Sequence, residues 1–272
     1  MSDPRLQRLN ETENLAVGLA TGVVDVSLTQ WMLYCKNASQ QGMPLTLNPK
    51  VLYRGTGMSM VNMSVLSGLQ LPLTATCQGL FTGGVPRKLS DGELVGAGLV
   101  GGALSGFACA PMELVLIQQQ RFGTSLLATP AKVVAEAGVA GLFGRGLAMS
   151  CGREGIFTAG MLGMGPVIKR GLLARGQDEA SANVIAAVGC GVVVATSTHP
   201  MDTIKTNQQG DVAGAKYRGV LDTAAKLLKE QGVRRFFSGW SWRTGRMIIE
   251  VFLFDQCRML MSPVFFPHHF QD

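Results

Sequence analysis

Six apolar runs of about 20 residues recur along the chain, at about 15–35, 58–81, 94–117, 146–168, 182–204 and 240–261. Twenty helical residues rise about 30 Å, the thickness of a bilayer's hydrocarbon core, so each run predicts a membrane-spanning helix. None is free of charge. Asp25, Glu113, Arg153, Glu154, Asp202, Lys205, Arg243, Arg246, Glu250 and Asp255 lie within the runs or at their ends. Ionisable groups at such depth are costly and face a bundle interior or a wet cavity. The connections after the first, third and fifth runs (36–57, 118–145 and 206–239) are long, and those after the second and fourth are short. In the third long connection Val220, Ala224, Leu227 and Leu228 are spaced as one face of an amphipathic helix. Lys226, Lys229, Arg234 and Arg235 beside them suit anionic lipid.

Composition agrees with lipid as solvent. Only 15% of the 272 residues are charged and the mean hydropathy is +0.24, whereas soluble domains average roughly 25% charged. Low charge excludes a disordered chain. The net charge is +6, but no dense basic run exists to neutralise phosphates, so no nucleic-acid partner is expected. No two of the six cysteines lie within four residues of each other, which excludes zinc-ribbon and thioredoxin-type motifs, and no metal site is expected. No nucleophile–base constellation appears, and the Gly-rich stretch at 138–146 lacks the Gly-Lys-Ser/Thr end of a phosphate loop. The chain therefore does not read as an enzyme. The first 14 residues are too polar for a signal-peptide core. His199 reads as a water-facing helix residue, Trp240 and Trp242 as an interfacial belt, and the apolar FFPHHF tail as a partner-contacting or interfacial segment. The long connections hold 12 of the 24 Lys and Arg, a mild bias that places them together on the negative side of the membrane.

The runs also repeat. HPMDTIK (199–205) is followed by KEQGVRRFFSG and WSWRTGR. APMELVL (110–116) is followed by AEAGVAGLFGRG and LAMSCGR, and VDVSLTQ (24–30) by VLYRG and TGMSMVN. Gly55, Gly146 and Gly239 are 91 and 93 residues apart, and Asp25, Pro111 and Pro200 are 86 and 89 apart. One domain of three repeats is expected, at about 13–85, 92–172 and 180–262, with two spans each.

These motifs resemble the mitochondrial carrier family, whose signature is P-x-[DE]-x-x-[KR] followed by an aromatic-basic-Gly anchor. Pro200, Asp202, Lys205 and Phe237-Ser238-Gly239 carry the likeness in the third repeat, Pro111 and Glu113 in the second, and Tyr53-Arg54-Gly55 in the first. The resemblance implies an all-α membrane protein, six tilted transmembrane helices in three pseudo-symmetric repeats around a central cavity, with short matrix-side amphipathic helices. It implies helix kinks at Pro111 and Pro200 and close helix approach at Gly18/Gly22 and Gly102/Gly106. It also implies residence in the mitochondrial inner membrane with both termini towards the intermembrane space, no cofactor, and cardiolipin bound at the anchors Arg54, Gly55, Arg145, Gly146 and Gly239.

In relatives, an acidic residue of one repeat pairs with a basic residue of the next at the matrix gate. The acidic positions map here to Ser27, Glu113 and Asp202, and the basic ones to Gln30, Leu116 and Lys205. That expectation leaves Glu113–Lys205 as the sole ion pair of three, Asp202–Gln30 as a hydrogen bond and Ser27–Leu116 as nothing, with Gln209 as a brace or a water-facing helix end. The outer gate maps to Thr74-Ala75, Gly165-Pro166 and Arg258-Met259, none of which fits; Phe254-Asp255 to Arg258 fits one turn early. Seven residues after the anchors stand Asn62, Arg153 and Arg246, and with Glu154 these are the expected substrate-binding residues. Two functions follow from the resemblance: a carrier of a small zwitterion or carboxylate, or a transport-inactive carrier fold serving as a subunit of a larger membrane complex. The lost gate residues tilt the expectation to the second.

Overall fold

The structure, a computed structural model, describes residues 10–85 and 87–270. The chain forms α1 (Glu11–Gln41), α2 (Pro49–Leu52), α3 (Thr56–Thr82), α4 (Asp91–Phe122), α5 (Ala128–Gly144) and α6 (Leu147–Thr158). A π turn (Ala159–Met164) then leads into α7 (Gly165–Ala174), followed by α8 (Glu179–Gly210), α9 (Val220–Gln231) and α10 (Trp240–Phe265), with short 3₁₀ turns at Val233–Phe237 and Pro267–His269. The described residues contain no strand.

Each odd member of the three long pairs begins with a side-chain cap. Asn10 and Ser90 form capping boxes with Glu13 and Glu93, and Asp178 accepts from the Ser181 N–H, satisfying donors that a helix start leaves orphaned. Each even member begins instead at a left-handed glycine: Gly55, Gly146 and Gly239 have φ of 79°, 75° and 79°. These three also sit where backbone meets the next repeat. A Cβ would come within 2.5 Å of Leu116 Cδ1 at Gly55, 3.0 Å of Lys205 Cγ at Gly146 and 2.8 Å of the Lys36 carbonyl at Gly239. Only glycine combines that φ with that proximity.

The long helices close a ring, each packed on the next in the order α1, α3, α4, α6–α7, α8, α10 and back to α1. Four segments (Ala16–Gln41, Asp91–Phe122, Ala128–Ala174 and Glu179–Gly210) are long and apolar enough to cross a membrane by length and composition. The 27 residues of α3 carry no charge, but Asn62, Gln70 and Gln78 lower their hydropathy. Leu28, Phe107, Val193 and Leu260 are exposed around the ring, as a lipid-facing surface requires. Gly102 and Gly106 bring α4 against α6, since a Cβ would meet the Glu154 carbonyl at 2.4 Å or the Ser150 carbonyl at 2.8 Å. Gly18 and Gly22 do not act this way. A Cβ at Gly18 meets nothing within 4 Å and one at Gly22 only the Met63 side chain at 3.5 Å; both glycines line the central cavity.

Three expectations fail, the first two because polar residues are buried where the ring closes. The helices α1, α4 and α8 run past the apolar stretches to Gln41, Phe122 and Gly210, where their amide-rich ends bond one another across the ring. Asn37 donates to Gln120 Oε1 (2.6 Å), Gln118 to the Gln209 carbonyl (2.6 Å) and Asn207 to the Gln40 carbonyl (2.8 Å). His199 does not face water; it is fully buried, with Nε2 2.9 Å from the Ser238 carbonyl and its ring stacked on Phe237. Trp242 is no interfacial belt residue. It packs edge-on against Trp31 at 5.7 Å and lines the cavity, whereas Trp240 is more exposed and donates to Thr196. Pro111 and Pro200 lie inside α4 and α8, which continue through them.

Candidate functional site

The ring encloses a cavity of about 360 Å³. Its wall carries Asp25, Glu113, Glu154, Asp202 and Glu250 against Lys36, Arg153, Lys205, Arg243 and Arg246, so formal charge balances. It runs from Gly18 in the first half of α1 down to Lys36 and Lys205, where the amide collar shuts it at the end bearing the long connections.

Two inter-repeat ion pairs stand on that floor. Glu113 meets Lys205 Nζ at 2.9 Å, and Asp202 meets Lys36 Nζ at 2.6 Å. Lys205 also lies 3.2 Å from Asp202, while Gln40 Nε2 donates to Asp202 at 2.9 Å and Ser150 Oγ to Glu113 at 2.6 Å. These carboxylates are 8% and 1% exposed, and buried charge persists only when paired and hydrogen-bonded in this way.

The pairing corrects the expected register of the first repeat. Gln30 does not reach Asp202; its amide donates to the Arg54 carbonyl at 3.0 Å. Ser27 is exposed and bonds the Val23 carbonyl of its own helix. Lys36 stands where Gln30 was expected, six positions further on, so the first-repeat motif is Trp31-Met32-Leu33-Tyr34-Cys35-Lys36. Three observations agree on this register. The Gly239 backbone packs on Lys36 as Gly146 packs on Lys205. Gln40, Gln120 and Gln209, each four residues on, are all buried. The helices end at Gln41, Phe122 and Gly210, five or six residues on. Leu33 then takes the first acidic position, and it packs against the buried Met58, Val115 and Leu116. The third site of the ring is thus apolar on both sides. Gln209 is fully buried and donates to the Ala110 carbonyl (3.3 Å), so it neither faces water nor touches the Glu113–Lys205 pair.

The expected binding residues are largely committed to the protein. Arg153 lies 2.5 Å from both Glu113 and Glu154, with Nε 3.6 Å from Asp202. Arg246 lies 2.6 Å from Glu250 and 3.7 Å from Asp25, with Nε donating to Thr29 at 3.2 Å. Asn62 lines the cavity, and its buried Oδ1 has no hydrogen-bond partner among the described residues. Arg243 donates to Thr198 Oγ1 (2.8 Å) and the Ala195 carbonyl (3.3 Å). Four residues after its anchor glycine, it occupies the position of Ser59 and Ser150 in the other repeats.

Among the expected lipid positions, Arg145 turns away from the anchor. Its guanidinium donates to the Asp211 and Tyr217 carbonyls and pairs with the Asp211 carboxylate at 3.8 Å. Arg54 packs on Gly123. At the opposite end of the ring, Thr74 is buried against α4 where a Cβ at Gly101 would touch it. Gly165 and Pro166 open α7. The backbone of 254–258 is helical within α10, and the side chains of Phe254, Asp255 and Arg258 lie outside the described residues.

A closed ring of membrane helices, a charged cavity and cross-repeat ion pairs sealing one end define a carrier-type membrane transporter. Comparisons agree. The family model for mitochondrial carrier proteins matches residues 176–263, the third repeat. Mitochondrial uncoupling protein 4 of Arabidopsis thaliana is 26% identical over 226 residues, covering 77% of this chain and 72% of that protein. A mitochondrial carnitine/acylcarnitine carrier-like protein of the same plant is 29% identical over 73% of each chain. An uncharacterised mitochondrial carrier of Schizosaccharomyces pombe is 25% identical over 87% of each. The third repeat thus matches the mitochondrial carrier family, and most of the chain is similar to mitochondrial carrier proteins.

Proposed function

We propose that the protein exchanges a small polar metabolite, amino-acid-like or a carboxylate, by alternating access. The long connections then face the matrix and both termini the intermembrane space. The observation that carries this reading is the sealed floor. Lys36–Asp202 and Lys205–Glu113 join repeats one, two and three directly beneath a charged cavity, and a transporter needs such separable contacts to bias one closed state against the other. The cavity's charge balance favours a solute of low net charge. The competing reading, a transport-inactive subunit of a larger complex, rested on two lost matrix pairs and the unmatched outer-end motifs; Lys36 restores one matrix pair, which leaves the apolar Leu33–Leu116 site and the outer-end motifs in its favour. Cardiolipin fits the starts of α3, α6 and α10, whose backbone donors have no side-chain cap and so favour phosphate.

Purified protein in liposomes, tested for exchange against amino acids, carboxylates and nucleotides, decides between the readings. Saturable exchange of a member of the first two groups supports the carrier. Absence of exchange with the whole panel, together with migration of the native protein in a high-mass complex, supports the subunit.

A further inference from the structure

The cavity's charges balance in number but not in place. Arg246 is shared by two carboxylates, Asp25 and Glu250, an arrangement that is formally one negative charge in excess. Asp25 is 6% exposed and faces the cavity, yet its Oδ1 has no hydrogen-bond partner among the described residues. Asn62, across on α3, presents a second buried acceptor without a donor. Arg243 holds the opposite excess. It is the one cavity-lining cation without a carboxylate in ion-pair range among the described residues, its guanidinium meeting only a hydroxyl and a carbonyl. It lies three residues before Arg246 on α10, one turn or roughly 5 Å deeper towards the sealed floor. A negative patch above and a positive group below therefore face one cavity.

We propose that this cavity binds a small zwitterion, its ammonium group held by Asp25 with Asn62 and its carboxylate by Arg243. This rests on the transport reading and changes its residues: Arg153 and Arg246 serve as structural counter-ions, and the solute is gripped by Arg243 and Asp25 instead. An ammonium offers three donors to acceptors that lack them, and a guanidinium accepts a carboxylate in a fork of two hydrogen bonds. A simple anion would leave the Asp25 side uncompensated, and a simple cation would leave Arg243 so.

The test is ligand-induced thermal stabilisation and calorimetric binding with the purified full-length protein, using three probes of equal chain length: β-alanine, propionate and propylamine. β-Alanine is expected to bind about tenfold or more tighter than either single-charge probe, the worth of one charge-assisted hydrogen bond. Arg243→Gln and Asp25→Asn should each lose that margin, while Arg243→Lys, which keeps the charge and guards against a folding artefact, should keep part of it. Equal binding of all three probes overturns the proposal, as does no binding of β-alanine. Undiminished β-alanine binding in Asp25→Asn also overturns it, because Asp25 would then be satisfied by a proton rather than by the ligand. Binding with these properties but no exchange in liposomes refutes the transport reading and leaves the site standing.

Discussion

Replacing Lys36 by Met tests the register of the first repeat. The substitution keeps the apolar stem and removes the ammonium that sits 2.6 Å from Asp202. Stranding a buried carboxylate costs about 3–5 kcal/mol. Here Asp202 keeps Lys205 at 3.2 Å, Arg153 at 3.6 Å and the Gln40 amide at 2.9 Å, which lowers the expected cost to about 2–3 kcal/mol. For a chain of this size that is a fall of roughly 4–12 °C in unfolding midpoint. Gln30→Ala, by contrast, removes one hydrogen bond to the Arg54 carbonyl, worth about 0.5–1.5 kcal/mol. A thiol-reactive dye suits the assay, since five of the six cysteines are buried and none is disulfide-bonded. Adding Asp202→Asn to Lys36→Met should recover part of the loss. A Lys36→Met protein melting within a degree of wild type, with Gln30→Ala melting well below both, refutes the pairing.

Arg153→Ala strips a cation from Glu113, Glu154 and Asp202 and is expected to cost about 3–5 kcal/mol, more than Lys205→Ala, which leaves Glu113 with Arg153 and Ser150; melting curves of the two rank them. Gly102→Ala forces a Cβ to 2.4 Å from the Glu154 carbonyl and should cost about 1–3 kcal/mol, while Gly68→Ala, with nothing within 4 Å, should be neutral or slightly stabilising by the same assay. At the termini, the Asn10 backbone N–H, with His269 3.0 Å away, holds the Glu13 carboxyl below its usual 4.5. A depressed folded value means the contribution is full above pH 4.5 and is lost as pH falls through the folded value; hydrogen exchange at the start of α1 should quicken over that acid range.

The second and third repeats were legible because Pro111 and Pro200 mark the same helical position, and because the anchor glycines need a conformation other residues avoid. The first repeat was misread because Trp31 stands at its proline position, so the nearest acidic residue, Asp25, was taken as the marker. The glutamine four residues after Lys36 and the helix-ending Gly42 carried the correct register. The amide collar was hidden for a different reason. Runs such as Gln118-Gln119-Gln120 look like connection because amides prefer water, and only three such ends meeting one another make them interior. That Arg243 has no carboxylate partner among the described residues follows from pairings between distant helices, which no spacing rule states.

Alternating access requires the sealed end to open during transport. Asn37 on α1 and Gln120 on α4 touch across it at 2.6 Å. In a chain freed of its own cysteines, Asn37→Cys and Gln120→Cys can be joined by a short, reducible bifunctional thiol reagent, and solute exchange followed in liposomes. The cross-link is expected to stop exchange, and reductant to restore it. Exchange continuing undiminished through the cross-linked protein would contradict alternating access.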